Sequence, residues 1–307
     1  MTQNVADATV IITTKNRKDE LRKAVASALQ QDAHPRVLVV DDGSTDGTSE
    51  MIRAEFPAVQ LERAEQSLGY IVQRNRGAFL AQTPFIISID DDAVFSSPRV
   101  ISQTIAEFAD SRIGAVAIPF INVNQDNIVR QSAPDERGIY LTAAFIGTAH
   151  ALRRELFVNL EGYREFFFHQ GEEEDYCIRM LAAGYVVRIG HADPIHHFES
   201  PRRDWKRLDL YGRRNNVLFA WCNVPLIHLP GRLLAATING LLHGIRLRRV
   251  LRMIHGLAMG YAAIFRYWRQ RRPVSARAYR AFRRLRGQPT LELSAMENWL
   301  GPQPPAC

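Results

Sequence analysis

Phe85-Ile86-Ile87-Ser88-Ile89 runs without a charge straight into Asp90-Asp91-Asp92. A β-branched and aromatic run of this kind, closed by acids, reads as a buried strand that delivers carboxylates to its own tip. Three adjacent carboxylates repel one another unless something positive lies among them. A hard divalent ion, held by one or two carboxylates and completed by phosphate oxygens and water, is the natural neutraliser.

Working outward, two further apolar runs stop at polar clusters. Thr9-Val10-Ile11-Ile12-Thr13 leads into Thr14-Lys15-Asn16-Arg17, and Val37-Leu38-Val39-Val40 into Asp41-Asp42-Gly43-Ser44. Between the runs, Leu21, Val25, Ala28 and Leu29 keep a helical period. Thr45 to Glu55 and Ile71 to Ala81 read as helices, and Val59-Gln60-Leu61 as a weak strand. This alternation predicts an α/β fold, a parallel sheet covered by helices on both faces. Its ligands are expected beyond the carboxyl ends of the strands, where the three polar clusters meet. Pro119 to Gly138 is polar and reads as an irregular loop.

Composition bounds the rest. With 46% hydrophobic and 23% charged residues, the 307-residue chain is well clear of a disordered composition. Cys177, Cys222 and Cys307 are scattered, which suggests neither a disulfide framework nor a thiolate zinc site, and a reducing cytoplasm is expected. The polar Met1 to Asp7 stretch carries no secretory pattern, so no export is expected.

The net charge of +7 conceals an asymmetry. Tyr211 to Thr290 holds sixteen arginines and no Asp, Glu or Lys, which leaves the remainder net acidic. A purely arginine-charged tail implies an anionic partner. Leu247, Leu251, Ile254, Ala258, Tyr261, Phe265 and Trp268 recur at helical steps, so an amphipathic helix is predicted. It either packs on the body or lies at an anionic membrane surface, peripheral to the inner face of the cell membrane. Arginines and histidines interrupt it well before the roughly 20 apolar residues of a span. Nucleic acid is not an expected partner, because no nucleic-acid motif accompanies the tail and an acidic body repels a phosphate backbone.

Two clusters downstream carry chemistry. Gly171-Glu172-Glu173-Glu174-Asp175 puts four consecutive acids at a helix start; the helix dipole accounts for one or two of them, not four. Ile195-His196-His197-Phe198-Glu199 sets two histidines after an apolar stretch, and only one of two neighbours on an extended strand faces a given side.

Taken together, Ile11-Ile12-Thr13-Thr14-Lys15-Asn16-Arg17, Val39-Val40-Asp41-Asp42-Gly43-Ser44-Thr45-Asp46, Arg74-Asn75-Arg76-Gly77 and Ile89-Asp90-Asp91-Asp92 resemble, in order and spacing, the signatures of family 2 glycosyltransferases with the GT-A fold. The similarity runs on to about Asn216. The resemblance implies a GT-A-like catalytic domain over 1–230, its donor half about 1–118 and its acceptor half about 119–230. A helical, arginine-rich region would follow over 231–307. It also implies metal-dependent, inverting transfer from a nucleotide-diphosphate sugar, of UDP or dTDP type, to an acceptor hydroxyl. The acceptor would be a sugar or lipid-linked molecule in bacterial surface polysaccharide or glycolipid assembly.

By the same resemblance, Thr13, Thr14, Asn16, Arg17, Asp41, Asp42, Arg74, Asn75, Asp90 and Asp91 would serve the donor nucleotide. Asp92 and Asp90, with His196 or His197, would hold Mg2+ or Mn2+. Glu173 stands where the family usually has Asp and would be the base, with Asp175 as fallback and Glu172 beside them. Arg202 and Arg213 would meet acceptor or phosphate. A nucleotidyltransferase, the rival enzyme class, should show a glycine-rich basic loop after the first strand, and Thr13 to Arg17 contains no glycine. A non-catalytic membrane scaffold, the other rival, would be free to lose Asp92 or the Glu172 to Asp175 cluster; both are present.

Overall fold

The computed structural model describes residues 7–200 and 204–300. The first half is built as the alternation predicts: β1 (Ala8–Thr14), α1 (Lys18–Leu29), β2 (Arg36–Asp41), α2 (Thr48–Glu55), β3 (Gln60–Arg63), α3 (Tyr70–Leu80) and β4 (Phe85–Asp90). These four strands are parallel, with β1 between β2 and β4. Val10, Ile12, Val39, Val40 and Ile87 are fully buried, because helices cover both faces and leave no strand side for water.

Register then fixes the site. Thr13 lies opposite Asp90, and Thr14 opposite Asp41, so the polar residues that end β1, β2 and β4 share one sheet edge.

The second half departs from a purely parallel sheet. After β5 (Ala93–Phe95) and α4 (Val100–Ala106) come β6 (Ile113–Ala117), β7 (Phe120–Asn122), β8 (Val129–Arg130), β9 (Tyr140–Thr142), β10 (Ala149–Arg153), α5 (Arg154–Asn159), α6 (Glu172–Ala182), β11 (Val186–Ile189) and β12 (Ile195–His197). Strand β10 inserts antiparallel between β4 and β6. Its residues are buried on both faces like those of a parallel strand, so apolar periodicity carries no sign of direction. Part of the stretch expected as an irregular loop is a hairpin instead. Strands β7 and β8 pair with each other and, with β5 and β12, make a separate four-stranded sheet.

The C-terminal part forms α7 (Trp205–Asn223), α8 (Leu229–Arg246), α9 (Val250–Arg266), α10 (Ala276–Gly287) and β13 (Leu291–Glu292). Strand β13 pairs with β9 and ends the nine-stranded main sheet. Helix α9 lies on α7 through its small residues. A Cβ on Gly256 would come within 2.7 Å of the Leu210 carbonyl oxygen, and one on Gly260 within 2.8 Å of the Val217 Cβ. The packing side of α9 is therefore Met253, Gly256, Leu257, Gly260 and Ala263, all buried. The large apolar stripe read from the sequence faces outward, with Leu251 83% and Phe265 80% exposed. Ile227, Leu234, Leu242 and Ile245, on α8 and at its entry, are likewise exposed. Among the described residues no helix is long and apolar enough to cross a membrane.

Candidate active site

The sharp turn from β4 into β5 carries Asp90, Asp91 and Asp92 to the floor of a cleft of about 400 Å³, whose walls include Thr13, Thr14, Arg17, Asp42, Tyr70, Arg74 and His197. Arg17 spans two of the acids, 3.1 Å from Asp91 and 3.0 Å from Asp92. The Thr14 hydroxyl donates to Asp91 at 2.8 Å. Burial pushes the Asp91 carboxyl up to about 7, against the pull of Arg17 and Thr14. Burial acts in the same direction on Asp92, but a hydrogen bond from His197 in its protonated form, together with the nearby Arg17, outweighs it and holds Asp92 below the usual carboxylate range.

His197 is oriented from behind. Its Nδ1 lies 2.7 Å from the Asn122 Oδ1, an atom that only accepts, so Nδ1 carries the proton. In the neutral ring Nε2 then presents a lone pair, and it faces Asp92 Oδ1 at 3.2 Å. Two lone pairs do not bond to each other; a proton or a cation belongs between them. Asp90, Asp92 and His197 each offer one ligand atom, all within 4.8 Å of one another, a donor set that fits a divalent ion with an oriented imidazole. His196, the next residue on β12, sits opposite Val94 and Ile121 and is outside this group.

A second chamber, of about 590 Å³, adjoins the first and shares Tyr70, Arg74, Asp90, His197 and Glu199 with it. Glu173 lines only the second. Arg74 joins the two: it lies 2.7 Å from Asp90, 3.4 Å from Glu172 and 3.6 Å from Glu173, and its guanidinium stands over the Tyr70 ring. Burial raises the carboxyls of both Glu172 and Glu173, and Arg74 offsets part of it. Glu172 has no exposed surface and, among the described residues, its Oε2 has no hydrogen-bond partner, whereas the Glu173 side chain keeps 19% of its surface. Of the two, Glu173 is the member that faces the chamber and Glu172 the one sealed behind it.

The remaining site candidates divide by location. Asp42 borders the cleft, but its oxygens accept from Ser67, Leu68, Gly69 and Gln73, so it also braces the entry to α3. Asp41 is turned inward and takes the Ser44 amide and the Ser49 hydroxyl. Asn16 accepts from the Thr45 amide and ties the β1 and β2 loops together, and Asn75 clamps Tyr163 through both backbone groups. Asp175 is fully buried between Arg164, Arg179 and Asn223, away from both chambers. Arg213 packs toward Gly240 and Gly256 of α8 and α9; the helical period that points Arg207 into the second chamber carries Arg213 elsewhere. Arg202 lies outside the described residues.

Residues not anticipated from the sequence are Tyr70, Asn122, His169 and Arg207. Asn122 fell in the stretch read as loop, and His169, with its ring lowered to about 4 by burial and Arg207, carried no motif. Gly147 is also part of the arrangement. A Cβ there would stand 2.3 Å from the Glu173 Oε1 and 2.7 Å from an Arg74 nitrogen. Both are flexible ends, so Gly147→Ala is expected to fold normally and to displace the pair. Its melting temperature should stay near wild type while a crystal structure of the variant shows the Glu173 carboxylate and the Arg74 guanidinium moved from their present positions; an unmoved pair would mean that the site accommodates the methyl group.

The profile for glycosyl transferase family 2 matches residues 9–168. The chain is 29% identical over 214 residues to the succinoglycan biosynthesis protein ExoU of Rhizobium meliloti (strain 1021), covering 61% of this chain and 60% of that protein. It is 25% identical over 284 residues to the pre-mycofactocin glycosyltransferase of Mycobacterium tuberculosis, covering 80% and 58%. The chain thus spans about three fifths of the length of these relatives. In fold it is similar to the mannosyltransferase PcManGT of Pyrobaculum calidifontis, solved with GDP-Man and Mn2+ (TM-score 0.58, 18% identity, covering 95% of this chain and 81% of that one). It is similar also to S. aureus TarS 1-349 with UDP (TM-score 0.55, 16% identity, 86% and 91%).

Proposed function

The chain belongs to glycosyl transferase family 2, and on that footing we propose that it transfers a sugar from a nucleotide-diphosphate donor to an acceptor hydroxyl with inversion, aided by a divalent ion. The observation that carries this reading is the pair of adjoining chambers. One is rich in carboxylates, and Glu173 lies only in the other, on the far side of Arg74.

In this reading Asp42, Thr13 and Arg17 line the nucleotide end of the first chamber. Asp90, Asp92 and His197 would hold a Mg2+ or Mn2+ ion, whose contribution is to neutralise the diphosphate as it leaves. Asn122 keeps the His197 lone pair directed at the ligand group. Arg74 balances Asp90 and holds Glu173 at the mouth of the second chamber. The acceptor enters there, against Phe120, Ile146 and Arg207. Glu173 takes the acceptor proton as the acceptor oxygen bonds to the anomeric carbon from one face. The bond from that carbon to phosphate oxygen breaks on the other, and inversion follows from the opposed positions. The relative that takes part in succinoglycan biosynthesis supports an acceptor in surface-polysaccharide assembly. A panel of nucleotide-sugars tested for turnover with and without a divalent ion decides the reading; no donor turned over under any metal condition would refute it.

The outward face of α8 and α9 supports a second element of the proposal, peripheral contact with anionic lipid. Exposed Leu251, Phe265 and Trp268 are interleaved with Arg248, Arg252, Arg266 and Arg269, the pattern of an interfacial helix. Each arginine near an anionic surface adds about 1 kcal/mol, and salt screens it. Because β13 completes the main sheet, surface variants test this better than truncation. Leu251→Glu with Phe265→Glu is expected to reduce co-sedimentation with anionic vesicles at least tenfold at low salt, with the thermal melt unchanged. Equal binding of variant and wild type would remove the membrane from the account.

A further inference from the structure

Between α8, α10 and the residues that enter α8 lies a cavity of about 640 Å³ that shares no lining residue with either chamber of the acidic cleft. Arg232, Arg283 and Arg286 converge on it, with His228, Tyr279 and Asn239. Neither α8 nor α10 contains an acid. The nearest counter-charge comes from α6, where Glu174 lies 2.7 Å from Arg286. Three guanidinium groups therefore face one carboxylate. Among the described residues none gives the buried His228 Nε2 a hydrogen-bond partner. Burial holds the Arg232 guanidinium below its usual range, with Glu174 and Tyr279 acting against that and Arg286 and Arg283 adding to it.

A folded chain has no structural reason to gather like charges in a concave, partly desolvated space; an anion relieves the repulsion that the fold leaves in place. Arginine forks match phosphate oxygens two at a time, and an imidazole nitrogen adds one further polar contact. We propose that this cavity is a second ligand site, which binds a phosphate or diphosphate ester independently of the nucleotide cleft. The ester comes from one of two sources, a lipid headgroup or a soluble molecule. The rim favours neither by chemistry alone, although Ile227, 81% exposed, stands on it where the outward apolar face begins. Glu174 follows Glu173 directly in α6, so a ligand that draws Arg286 away from Glu174 also touches the helix that bears the proposed base. The binding claim does not depend on the glycosyl-transfer reading.

The test uses the full chain and inorganic pyrophosphate, titrated by calorimetry in the presence of a chelator that silences the acidic cleft. Wild type is expected to bind, Arg283→Gln and Arg232→Gln each to bind about tenfold more weakly, the loss of one charge-assisted contact. Arg248→Gln, an exposed arginine outside the cavity lining, is expected to bind as wild type does. Arg283 is exposed, so its variant should keep the wild-type melt and leave the comparison free of folding effects. No pyrophosphate binding by wild type, or equal affinity in Arg283→Gln and Arg232→Gln, would overturn the site. A second arm separates the sources with phosphatidylcholine vesicles doped with phosphatidic acid or, at matched surface charge, with phosphatidylglycerol. A preference for phosphatidic acid that Arg283→Gln abolishes assigns the site to a lipid phosphate. Pyrophosphate binding without that preference assigns it to a soluble ester.

Discussion

Glu173→Gln is expected to retain donor binding and to lose transfer by about 10²–10⁴-fold, the usual contribution of a positioned base. The glutamine keeps the shape that fits against Gly147 and Arg74 but has no lone pair basic enough to take the acceptor proton. Burial raises the Glu173 carboxyl, so its proton is lost at a higher pH than from an ordinary glutamate. The base acts only when ionised. Activity should therefore rise with pH through that raised value, and kcat/KM should show its acid limb above the usual glutamate range. In Glu173→Gln the residual rate should lose that limb. Asp175→Asn is the companion measurement. Breaking a buried charge cluster costs about 3–5 kcal/mol, so that variant should melt early but, where folded, transfer at near the wild-type rate. A dead but stable Asp175→Asn beside an active Glu173→Gln would shift the base to Asp175 and leave the family unchanged.

How far the sequence could be read depends on which physical signal each residue leaves. The first four strands announce themselves because burial on both faces demands uninterrupted apolar runs, and because each run stops at polar residues that Thr13, Asp41 and Asp90 place at one edge. Strand direction leaves no such trace, so nothing in its apolar run marks β10 as antiparallel. Short strands leave little more. Phe120–Asn122 pairs through its backbone within a polar stretch, and with it went Asn122, the residue that orients His197. The four acids of α6 were legible as a cluster but not as individuals. A helix turns 100° per residue, so Glu172, Glu173 and Asp175 reach three different environments: a sealed interior, a chamber and an ion-pair network. The outward turn of the α9 stripe did have a sign in the sequence. Gly256 and Gly260, four apart, mark the face on which a second helix can approach closely, and the large apolar residues lie off that face.

Asp92→Asn is expected to leave the fold intact and to abolish the divalent-ion dependence of nucleotide binding. Asp92 is a turn residue at the end of β4, so the core does not depend on it. Its two oxygens are divided between Arg17 and the Nε2 of His197. With Asp90 and His197 it completes a set of three ligand atoms, and an amide in its place cannot supply a charged oxygen. Wild type should bind a nucleoside diphosphate at least about 10²-fold more tightly with Mn2+ than with chelator, since binding of metal and diphosphate is mutually reinforcing. In the variant that ratio should collapse toward one. The readout is equilibrium binding, so it stands apart from turnover. His197→Ala should reduce the ratio in the same direction, and Asn122→Ala by about 10–100-fold less metal affinity, as loss of an orienting partner does. His196→Ala, on the other face of β12, should change nothing. A wild-type metal ratio in Asp92→Asn would remove the ion from this cleft and leave Arg17 and Arg74 as the groups that neutralise the leaving diphosphate.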